Sequence, residues 1–158
     1  MRTAKRIGIL GALVWTAVVR AEAGDIRGVR VQSGGREVAI AELVGDGPGI
    51  VSLWMSYCLP CRAEAPTLNT ARKRWGTKQL RLVVVSGDLD DRKAAEKLRA
   101  AAKLDVEVLP IAAAQEDAAE ACAPNGYPTN FLVYGGDVRR VDRVLRIEDV
   151  EGLMKVRR

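Results

Sequence analysis

With 158 residues, 48% of them hydrophobic and 28% charged, the chain has room and composition for one globular domain plus a short appendage. It contains no histidine and only three cysteines, which excludes Ser-His-Asp and Cys-His hydrolases, His-ligated zinc, copper or haem, and a disulfide-stapled scaffold. The net charge of +5 is partly an N-terminal contribution, so it does not argue for nucleic acid.

Arg2, Lys5 and Arg6 precede an unbroken run of apolar and small residues from Ile7 to Val19, and Ala21-Glu22-Ala23 offers the small side chains a signal peptidase reads. The run is shorter than the ~20 residues a membrane-spanning helix needs. Residues 1–23 are therefore read as a cleaved export signal, with an uncleaved anchor as the alternative, and residues 24–158 as the domain. That domain carries a net charge of +2.

Within it, Val29–Gln32 and Arg36–Ala39 flank Ser33-Gly34-Gly35 and predict a hairpin. The turn cluster Gly45-Asp46-Gly47-Pro48-Gly49 separates it from an apolar strand, Ile50–Trp54. A helix is expected from Cys61 to Trp75, with Pro66 kinking it, then a β-branched strand at Leu80–Val85. Asp88–Ala102 reads as a helix, Val106–Ile111 as a strand and Gln115–Cys122 as a short helix. Thr129–Tyr134 and Val138–Leu145 around Gly135-Gly136 predict a second hairpin, and Ile147–Val156 a closing helix with a solvated basic end. The alternation argues an α/β fold, a central mixed sheet covered by helices on both faces, preceded by the N-terminal hairpin.

The loop after Ile50–Trp54 leaves the carboxyl end of a strand, where open α/β sheets place their chemistry. It carries Cys58-Leu59-Pro60-Cys61. On a helix, positions i and i+3 share a side, with Cβ atoms roughly 5–6 Å apart; a disulfide needs ~4 Å and so forms with slight closure. Cys58 stands at a helix N-terminus, where free N–H groups favour a thiolate, and Pro60 suits a first helical turn. The spacing favours redox chemistry over half a zinc site, which would lack ligands, or over two inert thiols.

The segment Trp54-Met55-Ser56-Tyr57-Cys58-Leu59-Pro60-Cys61-Arg62-Ala63-Glu64-Ala65-Pro66 resembles the active-site stretch of the thioredoxin superfamily. It is most similar to the exported TlpA/ResA-type thiol–disulfide oxidoreductases, with their W-x-x-W-C-x-P-C-R-x-E-x-P pattern. Gly126-Tyr127-Pro128-Thr129 matches the family's cis-proline loop. The resemblance covers roughly residues 26–156 and implies a thioredoxin-like fold whose redox-active disulfide, Cys58–Cys61, acts without a further cofactor. A cis Pro128 would expose the backbone of Tyr127 for pairing with a substrate strand. The family's glutamate falls on Glu64, a candidate to hold the proton Cys61 loses; read by itself, Arg-x-Glu would be a solvated ion pair near a helix surface. Cys58, Cys61 and Glu64 are thus the expected catalytic residues, and Trp54, Tyr57, Pro60, Tyr127, Pro128 and Thr129 the expected substrate-binding ones.

Three departures stand out. Ser52 occupies the position where cytosolic thioredoxins carry a buried aspartate, Tyr57 replaces a tryptophan, and Cys122 is an extra thiol, either packed or a third redox group. A peroxiredoxin is disfavoured because Met55 stands where its Thr-x-x-Cys needs threonine. A Cu(I) carrier using Cys58 and Cys61, with or without Cys122, is the alternative. The N-terminal segment places the expected protein, a monomer, in the periplasm or otherwise outside the cytoplasm; the resemblance implies that it reduces protein substrates, as in the maturation of cytochrome c or metal-site thiols, and is itself re-reduced by a membrane donor. It implies no nucleic-acid partner, and membrane attachment only if the N-terminal segment is retained.

Overall fold

A computed structural model describes residues 24–156; the expected export signal lies outside the described residues. A 3₁₀ turn at Ile26–Gly28, capped by the Asp25 carboxylate on the Arg27 N–H, leads into β1 (Arg30–Ser33) and β2 (Arg36–Ala39). Their turn sits on Gly34 and Gly35 with φ of +58° and +79°, the left-handed pair that a two-residue hairpin requires. A short helix not anticipated from the sequence follows, α1 (Ile40–Val44). Its start is fixed by the Glu42 carboxylate, which accepts the Ala39 N–H at 3.1 Å.

The main sheet comprises β3 (Gly49–Trp54), β4 (Arg81–Ser86), β5 (Val108–Pro110), β6 (Thr129–Tyr134) and β7 (Asp137–Val141), in the order β5-β4-β3-β6-β7. β3 pairs in parallel with β4 and antiparallel with β6. The mixed sheet with its preceding hairpin is the architecture expected from the sequence. Side chains alternate between two apolar layers. Ile50, Trp54, Val84 and Leu132 face one, and Val51, Leu53, Val85, Phe131 and Val133 the other.

The first layer is closed by α3 (Ala65–Gln79), α4 (Arg92–Ala102) and α6 (Ile147–Val156), through Leu68, Leu98, Val150 and Leu153. The second is closed by the β1–β2 hairpin, α1 and α5 (Glu116–Cys122). Each fully buried Leu or Ile in these layers contributes roughly 1.5–3 kcal/mol of transfer free energy.

Four expected elements change their limits by more than one residue. The helix expected over Cys61–Trp75 is two helices, α2 (Leu59–Arg62) and α3, meeting at Ala63 and Glu64. Pro66 therefore does not kink a continuous helix; it sits in the first turn of α3, where its missing N–H costs nothing. The helical backbone of α3 is interrupted at Gly76, with φ +61°. α4 begins at Arg92 rather than Asp88, because the Asp91 carboxylate caps it by accepting the Lys93 N–H at 2.9 Å. The strand expected over Val106–Ile111 narrows to β5. The strand expected to run to Leu145 stops at Val141, since residues 143–145 turn inward toward the site.

Candidate active site

β3 ends at Trp54 and β6 begins at Thr129, and the antiparallel register sets Leu53 opposite Thr129. The loop after β3 and the loop before β6 therefore emerge at the same end of the sheet. One carries the cysteine pair and the other the Tyr127–Pro128 peptide, which is cis. This juxtaposition follows from strand pairing alone, although 67 positions of sequence separate Cys61 from Pro128.

Cys58 and Cys61 form a disulfide, with Cα atoms 5.3 Å apart. Cys58 is the N-cap of α2 and its Sγ accepts the Cys61 N–H at 3.1 Å. α2 has only four residues, and of the free N–H groups expected at a helix N-terminus, that of Cys61 is the one that meets the sulfur. A hydrogen bond to sulfur still favours the thiolate after reduction. Cys58 is 7% exposed and Cys61 fully buried. Cys58 is thus the more accessible of the two cysteines.

The surroundings divide into an exposed rim and a buried floor. Tyr57 and Leu59, on either side of Cys58, are 72% and 73% exposed, Pro60 is exposed, and Met55 and Tyr127 are half-buried. An apolar rim around an attackable sulfur is suited to an unfolded or extended polypeptide segment. Trp54 and Thr129, expected among substrate contacts, are fully buried, and Pro128 is buried as well. Trp54 packs in the same apolar cluster as the two cysteines, and the Thr129 hydroxyl donates to the Gly126 carbonyl at 2.6 Å, tying the proline loop to itself. These residues shape the site from beneath.

Glu64 departs most from expectation. It is not near a surface but fully buried, and among the described residues no cation pairs with it. Four donors converge on its carboxylate. Oε2 accepts the Ser52 hydroxyl at 2.8 Å and the Trp54 indole N–H at 2.9 Å. Oε1 accepts the Leu145 N–H at 2.6 Å and the Asn130 side-chain amide. Burial pushes the Glu64 carboxyl above its ordinary range; the bonds from Ser52, Leu145, Trp54 and Asn130 oppose the shift without cancelling it. Its own N–H donates to the Cys61 carbonyl at 3.0 Å, so the acid follows directly on the turn carrying the second thiol.

Ser52 is a donor to this acid, and among the described residues Glu64 is the one fully buried carboxylate. Asn130 and Leu145 escaped the sequence reading. For Asn130 a signal existed, a polar side chain inside the apolar run Thr129-Asn130-Phe131-Leu132-Val133. For Leu145 none did, because the donor is backbone.

Cys122 lies in the other apolar layer, 1% exposed, with its thiol donating to the Ala118 carbonyl at 3.2 Å. Burial, with a smaller contribution from Asp25, pushes the thiol up to about 11. The fold thus does not bring the three cysteines together into a three-thiolate copper site. Cys122→Ser is expected to leave the redox behaviour of the Cys58–Cys61 pair unchanged. Parallel thiol titrations of parent and variant check this; a shifted Cys58–Cys61 equilibrium in the variant would show Cys122 to be coupled.

No family model matches the sequence, and no curated protein matches it. Solved structures do match. A secreted disulfide oxidoreductase of Mycobacterium tuberculosis, homologous to E. coli DsbE, is 18% identical with TM-score 0.63, over 85% of this chain and 99% of that one. The thioredoxin domain of a thiol-disulfide oxidoreductase from Bacteroides vulgatus is 21% identical with TM-score 0.61, over 84% and 97%. StoA from Bacillus subtilis is 18% identical with TM-score 0.59, over 79% and 93%. The fold is thioredoxin-like. At such identities the likeness is one of fold, and it spans nearly the whole of each neighbour. On this thioredoxin-like scaffold the disulfide occupies the loop after β3 and the cis-proline the loop before β6.

Proposed function

We propose that the protein is an extracytoplasmic thiol–disulfide oxidoreductase that exchanges electrons with protein substrates through Cys58 and Cys61, in the reducing direction. The observation that carries this reading is the disulfide at the carboxyl end of β3, whose more exposed member, Cys58, is flanked in the chain by the exposed Tyr57, Leu59 and Pro60. The secreted neighbour from M. tuberculosis supports the location, as does the N-terminal sequence pattern.

In the reduced protein, the Cys58 thiolate attacks one sulfur of a substrate disulfide. A Cys58–substrate bond forms and the first substrate thiolate leaves. Cys61 then loses its proton and attacks Cys58 Sγ, releasing the second substrate thiolate and closing the Cys58–Cys61 disulfide. Two electrons pass to the substrate, and a membrane dithiol donor restores the reduced pair.

Glu64 receives the Cys61 proton in this scheme. Its upward-shifted carboxyl has a proton affinity nearer to that of a thiol than an exposed glutamate would have. The cis Tyr127–Pro128 segment presents backbone for the substrate strand.

Equilibration with glutathione buffers tests the direction. A midpoint well below about −200 mV marks a reductant in an oxidising compartment, whereas one near about −120 mV marks an oxidant. The proposal predicts the former, and the latter would reverse the assigned electron flow.

A further inference from the structure

Between Trp54 and Cys58 the chain makes a tight turn whose only internal backbone bond is Cys58 N–H to the Met55 carbonyl, 3.1 Å. This turn carries Tyr57 and delivers Cys58, yet it is held mainly from outside, at Ser56. Asp88 Oδ1 accepts the Ser56 N–H at 2.9 Å, and Oδ2 accepts the Ser56 hydroxyl. From the other side, Arg62 Nη2 donates to the Ser56 carbonyl at 3.1 Å. All three polar groups of Ser56 are thereby engaged by two side chains of opposite charge.

Asp88 is in turn steadied by the Ser86 hydroxyl, which donates to its Oδ1 at 2.9 Å. Ser86 is the last residue of β4 and pairs with Trp54. Gly87 donates to the Trp54 carbonyl at 2.9 Å, and a side chain there would meet Met55 Sδ at 3.3 Å. The close approach of the two strand ends thus brings Ser56 within reach of Asp88.

We propose that Asp88, with Arg62 as its counterpart, is a positioning residue for the redox site: gripping Ser56 from both sides, the pair fixes where Tyr57 and Cys58 meet a protein substrate. The proposal rests on the oxidoreductase reading. It makes a distinction that reading alone does not. A small disulfide reaches Cys58 without engaging the rim, whereas a protein disulfide must meet the cysteine loop and the cis-proline loop together.

The test compares two probes, insulin and a small aromatic disulfide, reduced by the full-length protein and its variants. For Asp88→Ala the rate with insulin is expected to fall on the order of tenfold, the scale on which slight misplacement of reacting groups acts, while the small disulfide reacts within about twofold of the parent. Asp88→Asn keeps one acceptor oxygen for the Ser56 N–H and turns an amide donor toward the Ser56 hydroxyl, so it should restore most of the insulin rate. Arg62→Leu should show the same split between probes as Asp88→Ala, which supplies an independent arm should the alanine variant fold poorly.

An unchanged insulin rate in either variant would overturn the proposal. So would an equal fall with both probes, or an Asp88→Asn as impaired as Asp88→Ala, since these would assign the effect to charge at Cys58. A parent that reduces neither probe would instead defeat the oxidoreductase reading, and the clamp with it.

Discussion

Cys61→Ser is expected to accumulate mixed disulfides between Cys58 and substrate proteins, while Cys58→Ser accumulates few or none. The asymmetry follows from the site. Cys58 is the more exposed of the two residues and its sulfur accepts the Cys61 N–H, whereas Cys61 is fully buried. Thiolate fraction and access decide which sulfur attacks. With Cys61 gone, the mixed disulfide has no internal resolving thiol and persists. Cys122 does not substitute, because it belongs to the opposite apolar layer. Non-reducing electrophoresis of each variant, with the adducts identified by mass spectrometry, checks the result and names the substrates. Adducts trapped preferentially by Cys58→Ser would invert the assignment.

Glu64→Ala is expected to be among the most destabilising single substitutions in the chain. It leaves the Leu145 N–H without its acceptor, takes one acceptor each from Asn130, Ser52 and Trp54, and opens a void among side chains that are fully buried. A buried donor left unsatisfied costs about 1–3 kcal/mol; with the cavity added, a loss of roughly 3–5 kcal/mol in denaturant-measured stability follows.

Glu64→Gln behaves differently. Its oxygen still meets Leu145 and Asn130, its amide donates toward Ser52, and the Trp54 indole retains the Ser52 oxygen at 2.8 Å. The fold should survive, and what changes is the pH dependence. Because the folded state holds the Glu64 proton more tightly than the unfolded chain does, native Glu64 adds stability that is complete below the unfolded value and is lost as pH rises through the folded one. Urea unfolding between about pH 4 and pH 8 should therefore show a decline in the parent that Glu64→Gln lacks. Parallel curves for the two proteins would mean that Glu64 titrates as it does when unfolded, and would remove the ground for its role toward Cys61. The same substitution should also alter the pH profile of Cys61 reactivity if Glu64 takes its proton.

The cysteine pair and the acid beyond it were easier to locate in the sequence than the groups that surround them. Cys58, Cys61 and Glu64 are three residues apart in turn, and local spacing is what a linear reading handles well. The strands at β3, β4 and β6 were legible from β-branched and apolar runs, and the two hairpins from their glycine pairs. The burial of Glu64 was not legible, because its four donors come from Ser52, Trp54, Asn130 and Leu145, and two of these lie far along the chain. Arg62 beside it suggested a surface pair; its guanidinium instead serves Ser56. The early end of β7 has the same origin, since in residues 143–145 the Arg143 carbonyl accepts from the Asn130 side chain and the Leu145 N–H donates to Glu64. Likewise Trp54 read as an aromatic for substrate contact, whereas its indole N–H is committed to the buried acid. Long-range polar satisfaction, rather than propensity, decided each of these positions.

The most direct test of the account is the order in which the thiols of the fully reduced protein are alkylated at neutral pH, followed in time by mass spectrometry. Cys58 is predicted to react first by a wide margin, with Cys61 slow and Cys122 slow, the last because burial holds its thiol protonated, up at about 11. Labelling of Cys122 or Cys61 before Cys58 would contradict the account, since the sulfur assigned to attack substrate would then not be the reactive one.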